Sequence, residues 1–76
     1  MSAAIQELEE KRKYTLGRIE YLEVTSEKYK TNEGGLDEDF CKVQIDFHEH
    51  SLIGYRRELY QIESELAALN KERLQF

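Results

Sequence analysis

The sequence predicts an all-α fold, an antiparallel helical hairpin of coiled-coil character, and three observations carry that expectation. Seam positions from Cys41 to Leu69 follow an unbroken four-three alternation, and a weaker alternation runs from Ile5 to Tyr29. Between the two lies Gly34-Gly35, the single glycine pair in a chain that has no proline.

The first element spans about residues 2–30. Ile5, Leu8, Arg12, Thr15, Ile19, Leu22, Ser26 and Tyr29 fall on one helical stripe, weakened by its polar members. Ser2 is placed to cap the start, and the pairs Glu7–Lys11 and Glu9–Lys13 each add a few tenths of a kcal/mol. Gly17 costs about 1 kcal/mol relative to alanine. An acidic Gly-Gly turn covers about 31–36.

The second element spans about 37–73. Asp37 is the N-cap, and Glu38 and Asp39 set negative charge against the positive end of the helix dipole. Cys41, Ile45, His48, Leu52, Tyr55, Leu59, Ile62, Leu66 and Leu69 form the seam. At 1.5 Å per residue the helices are roughly 45 and 55 Å long.

A single domain of 76 residues buries too little surface to be comfortably stable alone. Cys41 has no second cysteine to bridge to, so support must come from oligomerisation or from a partner. A homodimer completing a four-helix bundle is the natural solution, with Leu52, Tyr55, Leu59, Ile62, Leu66 and Leu69 as the expected self-association residues.

One segment also supports a different fold. Val43, Ile45 and Phe47 alternate with Lys42, Gln44, Asp46 and His48, the period of a half-buried strand. A partner strand would come from about 24–31, and Ser51 would cap a shorter second helix, giving an α+β arrangement of helix, β-hairpin, helix.

The formal charge is −5, and its placement is uneven. From Glu33 to His50 there are six acids against Lys42 alone, while the rest of the chain balances. That distribution argues against a nucleic-acid surface and against binding to an anionic membrane. No uninterrupted apolar stretch is long enough to span a bilayer, and Met1 to Leu8 lacks the basic-then-apolar pattern of a leader, so a soluble cytoplasmic protein is expected. One unpaired cysteine suits a reducing compartment.

Catalytic and metal chemistry find little support. Asp46, His48, Glu49 and His50 are ligand types, but on a helix His48 turns into the seam while Asp46 and His50 share another face. No second cysteine or third histidine exists to close a structural zinc site, so no metal or cofactor is assigned. Nucleophilic catalysis needs Cys41, Ser26 or Ser51 beside a base with a third orienting group, and two histidines close together in sequence offer few such arrangements; Cys41 on the seam reads as a small core residue. Gly34-Gly35 is not followed by the Lys-Ser/Thr of a phosphate-binding loop. The expectation is a non-enzyme.

Phe40, Val43 and Phe47 stand three and four apart on the side of the second helix away from the seam. A helix apolar on two faces is normally covered on both. With Asp37, Glu38, Asp39, Asp46 and Glu49 around them, these three residues form the expected interface with another protein. The functional expectation is therefore a structural or adaptor protein. The alternative is a small acidic inhibitor or regulator that occupies a basic groove on a target enzyme in the manner of nucleic acid; a phage-encoded small protein would suit either role. Salt separates the two, since mimicry weakens steeply with ionic strength and a packing interface does not.

Overall fold

A computed structural model describes residues 2–73. Helix α1 runs Ala3–Thr31 and helix α2 runs Glu38–Arg73. Ile5 of α1 clusters with Ile62 and Leu66 of α2, whereas Ile19 and Leu22 cluster with Leu52. Contacts that climb one helix while descending the other define an antiparallel hairpin, and the molecule measures 59 × 16 × 15 Å.

Both helix starts follow from their caps. The Ile5 backbone N–H donates to Ser2 Oγ at 3.3 Å, and the Phe40 N–H donates to Asp37 Oδ2 at 3.1 Å. Each cap supplies an acceptor to a donor that the first helical turn leaves unpaired. The end of α1 is set by Asn32, whose backbone is left-handed at φ 48° and ψ 43° and whose N–H donates to the Lys28 carbonyl at 3.0 Å. Its side-chain amide then grips Leu36 from both sides: Nδ2 donates to the Leu36 carbonyl and Oδ1 accepts from the Leu36 N–H, both at 2.8 Å. Gly35, at φ 69°, supplies the second left-handed residue that lets the chain reverse.

The core is one residue thick and changes character along its length. At the open end Ile5, Ile62 and Leu66 are buried with Leu8 and Leu69 beside them. In the middle Ile19, Leu22 and Leu52 are buried, flanked by Tyr55 and Leu59. Thr15, only 1% exposed, is buried on α1. Towards the turn the buried residues are Ser26 and Cys41, with Tyr29, Ile45 and His48 half-buried. The α1 stripe is polar where its sequence is polar, and only Arg12 among its expected members lies exposed.

The strand reading of 42–48 is overturned: the whole segment lies inside α2, and no strand occurs among the described residues. Ile45 and His48 turn towards α1, while Val43 and Phe47 are exposed. So short an alternation cannot outweigh a four-three seam that runs through it and on to Leu69.

Candidate protein-interaction surface

The hairpin has two long edges where the helices meet, and they differ in chemistry. Along one edge run the interhelical ion pairs Arg12–Glu63 at 3.2 Å, Glu23–Arg56 at 3.1 Å and Lys30–Glu49 at 3.5 Å. Glu49, Arg56 and Glu63 are seven residues apart, two helical turns, which keeps them on one side of α2. A groove of about 520 Å³ follows this edge, lined in part by Glu23, Lys30, Glu49, Ile53 and Arg56. All of these charged partners are about half exposed, so each pair contributes little to stability.

The opposite edge is aromatic. The Arg18 guanidinium sits 5.4 Å from the Tyr21 ring centroid and 5.9 Å from that of Tyr55, bridging the helices by cation–π contact. Tyr55, close beside the guanidinium, raises the Arg18 pKa above its ordinary value; like any arginine, Arg18 is charged throughout the physiological range. Arg18 Nε is buried without a hydrogen-bond partner. Tyr14, 66% exposed, lies on the same edge, since it and Glu58 line one shallow depression while Glu58, Tyr55, Gly54 and Ser51 line the next.

At the turn end a row of four rings connects the helices. Phe40 meets Tyr29 edge-on at 6.1 Å and 71°, Tyr29 stacks on His48 at 5.8 Å and 24°, and His48 meets Phe47 edge-on at 6.2 Å. Tyr29 and His48 are half-buried, whereas Phe40, Val43 and Phe47 are 46%, 63% and 67% exposed. The outer rings are thus held in place by inner ones while their own surfaces face solvent. Such a preorganised apolar group loses little side-chain entropy when something packs on it.

The acids expected beside this patch divide into two sets. Asp37 caps α2 and Glu49 pairs with Lys30. Glu38, Asp39 and Asp46 are exposed and form no ion pair among the described residues. The residues expected to mediate self-association lie on the inner side of α2: Leu52, Ile62 and Leu66 are buried, and Tyr55, Leu59 and Leu69 are half-buried against α1. The hairpin itself already covers them.

Asp46, His48, Glu49 and His50 do not converge. His48 is in the ring row, with Nδ1 buried and unpartnered, and the Nδ1 of His50 lies 3.0 Å from the Asp46 carbonyl oxygen. Among the described residues no three His, Cys, Asp or Glu side chains gather as a metal site would require. Nor is any described helix long and apolar enough to cross a membrane.

The edge made by Tyr14, Arg18 and Tyr21 escaped the sequence reading. A signal was present: Tyr14 and Tyr21 are seven residues apart, with Arg18 between them, beside a core stripe to which none of the three belongs. Comparison of the chain with protein-family models, curated proteins and solved structures gives no match. The chain's own residues therefore carry the functional reading.

Proposed function

We propose that this protein is a non-enzymatic structural or adaptor module that self-associates and presents its acidic, aromatic turn end to another protein. The observation that carries the reading is exposed area. A compact protein of 9.0 kDa leaves about 4,900 Å² accessible. This hairpin leaves 6135 Å². The excess, roughly 1,200 Å², is more than the ~800 Å² that each partner buries in a standard interface.

That excess has apolar content, because ten large apolar or aromatic side chains are exposed among the described residues. A pair of helices 16 × 15 Å in cross-section has no interior in which to enclose a substrate, which supports a role in assembly over one in catalysis. Phe40, Val43 and Phe47 with Glu38, Asp39 and Asp46 around them give the turn end the make-up of a contact surface, with apolar anchors in a polar rim.

Sedimentation velocity over a wide concentration range tests the self-association half of this proposal. The expected result is a concentration-dependent dimer completing a four-helix bundle; a well-folded monomer throughout would remove it. The partner half is tested by quantitative capture from the native host with wild-type bait and with bait carrying Phe40→Ala and Phe47→Ala. A partner retained by the first and lost by the second supports it.

A further inference from the structure

We infer that the turn-end row of Phe40, Val43 and Phe47 receives a short cationic amphipathic helix of the partner, its lysines or arginines set against Asp39 and Asp46. This rests on the adaptor reading and gives the partner a chemistry.

Exposed apolar side chains occur along both helices, but their spacing differs. Among the described residues, Phe40, Val43 and Phe47 are the one run of three within a helix in which each exposed large apolar residue stands three or four from the next. Tyr21 and Val24 make only a pair, and Tyr14, Leu16, Ile53 and Tyr60 have no such neighbour on their own helix. Scattered apolar residues are ordinary protein surface, whereas a contiguous row marks a contact site. The groove beside the ion pairs is lined by charges already joined to one another, Glu23 to Arg56 and Lys30 to Glu49. The turn-end row is also held in place, because Phe40 rests against Tyr29 and Phe47 against His48.

The spacing selects a helix as occupant. Anchors at i, i+3 and i+7 are how one helix presents itself to another, and with no strand among the described residues an extended segment has no sheet edge to join. Charge selects the sign of that helix. Val43 is four residues after Asp39 and three before Asp46, so both acids border the row on its Val43 side, the kind of flanking position that chooses partners between paired helices. Both are exposed, and neither forms an ion pair among the described residues. The other flank holds the uncharged Gln44 and Ser51. Lys42, the one base from Glu33 to His50, lies across the two acids from the phenylalanines at 100° per residue. A docked helix therefore meets negative charge along one margin, where basic residues are matched and acidic ones repelled. The four-three alternation continues past Phe47 through His50, Gly54 and Arg57, so the apolar row stops and a cation follows it. Phe40 to Phe47 covers about 10 Å of axis, two turns, and that sets the footprint.

The test uses the full chain and three synthetic peptides of about 18 residues, long enough to hold helix in part. The first carries leucines at heptad a and d positions with lysines flanking them, and the second replaces those lysines by glutamates. The third scrambles the first, keeping its charge and destroying its apolar face. Fluorescence anisotropy is expected to show the lysine peptide binding about tenfold more tightly than either of the others. With Asp39→Lys and Asp46→Lys the preference is expected to reverse towards the glutamate peptide. Phe40→Ala with Phe47→Ala is expected to lose binding of the lysine peptide, with circular dichroism as the folding control. Val43→Ser, at an exposed position, decides the matter should that variant lose helix. Equal binding of the lysine and scrambled peptides would overturn the helical occupant and favour polyanion mimicry. No binding of the lysine peptide, or no reversal in the charge variant, would overturn the cationic one. Loss of self-association in the phenylalanine variant would make a second copy the occupant, and the inference would fall. The adaptor reading fails on a separate result, when wild-type bait and phenylalanine-variant bait capture the same proteins from the native host.

Discussion

Asn32 concentrates the residue-scale chemistry of the turn. It adopts a left-handed conformation, ends α1 through its backbone N–H, and clamps Leu36 through both ends of its amide. Asn32→Ala removes the clamp and places a Cβ-bearing residue without compensation in the left-handed region, an expected cost of about 2 kcal/mol. Asn32→Gly keeps the conformation and loses only the side-chain bonds, so about 1 kcal/mol is expected. Urea unfolding of the three proteins checks both the values and their order. The caps at Ser2 and Asp37 were readable in the sequence because Ser and Asp are strongly preferred at a helix start and each stands directly before a helical pattern. Asn32 was not, since the adjacent Gly34-Gly35 carries the louder turn signal and the amide clamp depends on where Leu36 returns in space.

At the scale of elements, the α2 seam was legible residue by residue: every member from Cys41 to Leu69 is buried or half-buried. Helix α1 was legible in extent but not in strength, because Thr15 and Ser26 look like breaks in an apolar stripe yet are among its most buried members, at 1% and 4% exposed. Small polar side chains can occupy a narrow helix–helix contact that a larger group would force apart. The apolar clusters on either side must then supply most of the packing energy. Leu22→Ala and Leu52→Ala, both in the middle cluster, are each expected to cost about 2–4 kcal/mol. Because the two belong to one cluster, the double variant is expected to fall short of additivity, by about 0.5 kcal/mol or more in a denaturation cycle. The same cycle on Glu23 and Arg56, whose bridge is half exposed, is expected to give a coupling below about 1 kcal/mol. A larger value there would mean that the charged edge contributes materially to the stability of the hairpin.

At the scale of the whole molecule, charge and apolar surface coincide at the turn end, and that coincidence was visible in the sequence because it needed only positions along one helix. The aromatic edge was not read there, because Arg18 meets Tyr55 across the two helices only when the hairpin closes. The turn end can be tested apart from the fold. Phe40 and Phe47 are exposed, and each touches the inner rings only edge-on, so Phe40→Ala with Phe47→Ala is expected to cost about 1–2 kcal/mol of stability through lost ring contacts. Alanine favours helix more than phenylalanine does, so helix content is expected to hold. Partner binding is expected to be lost, since aromatic anchors within a polar rim carry most of the energy of such contacts. Reversal of charge at Glu38 and Asp39 is the complementary change, and it spares the Asp37 cap. It is expected to slow association, most strongly at low salt, with little change in the dissociation rate. Titration calorimetry and stopped-flow association against the captured partner, with circular dichroism as the folding control, measure all of this. If affinity instead falls steeply with salt in the wild type and survives loss of both phenylalanines, the acids are the contact and the protein imitates a polyanion in a basic groove. If the double variant unfolds, the two rings belong to the core and the contact surface lies elsewhere.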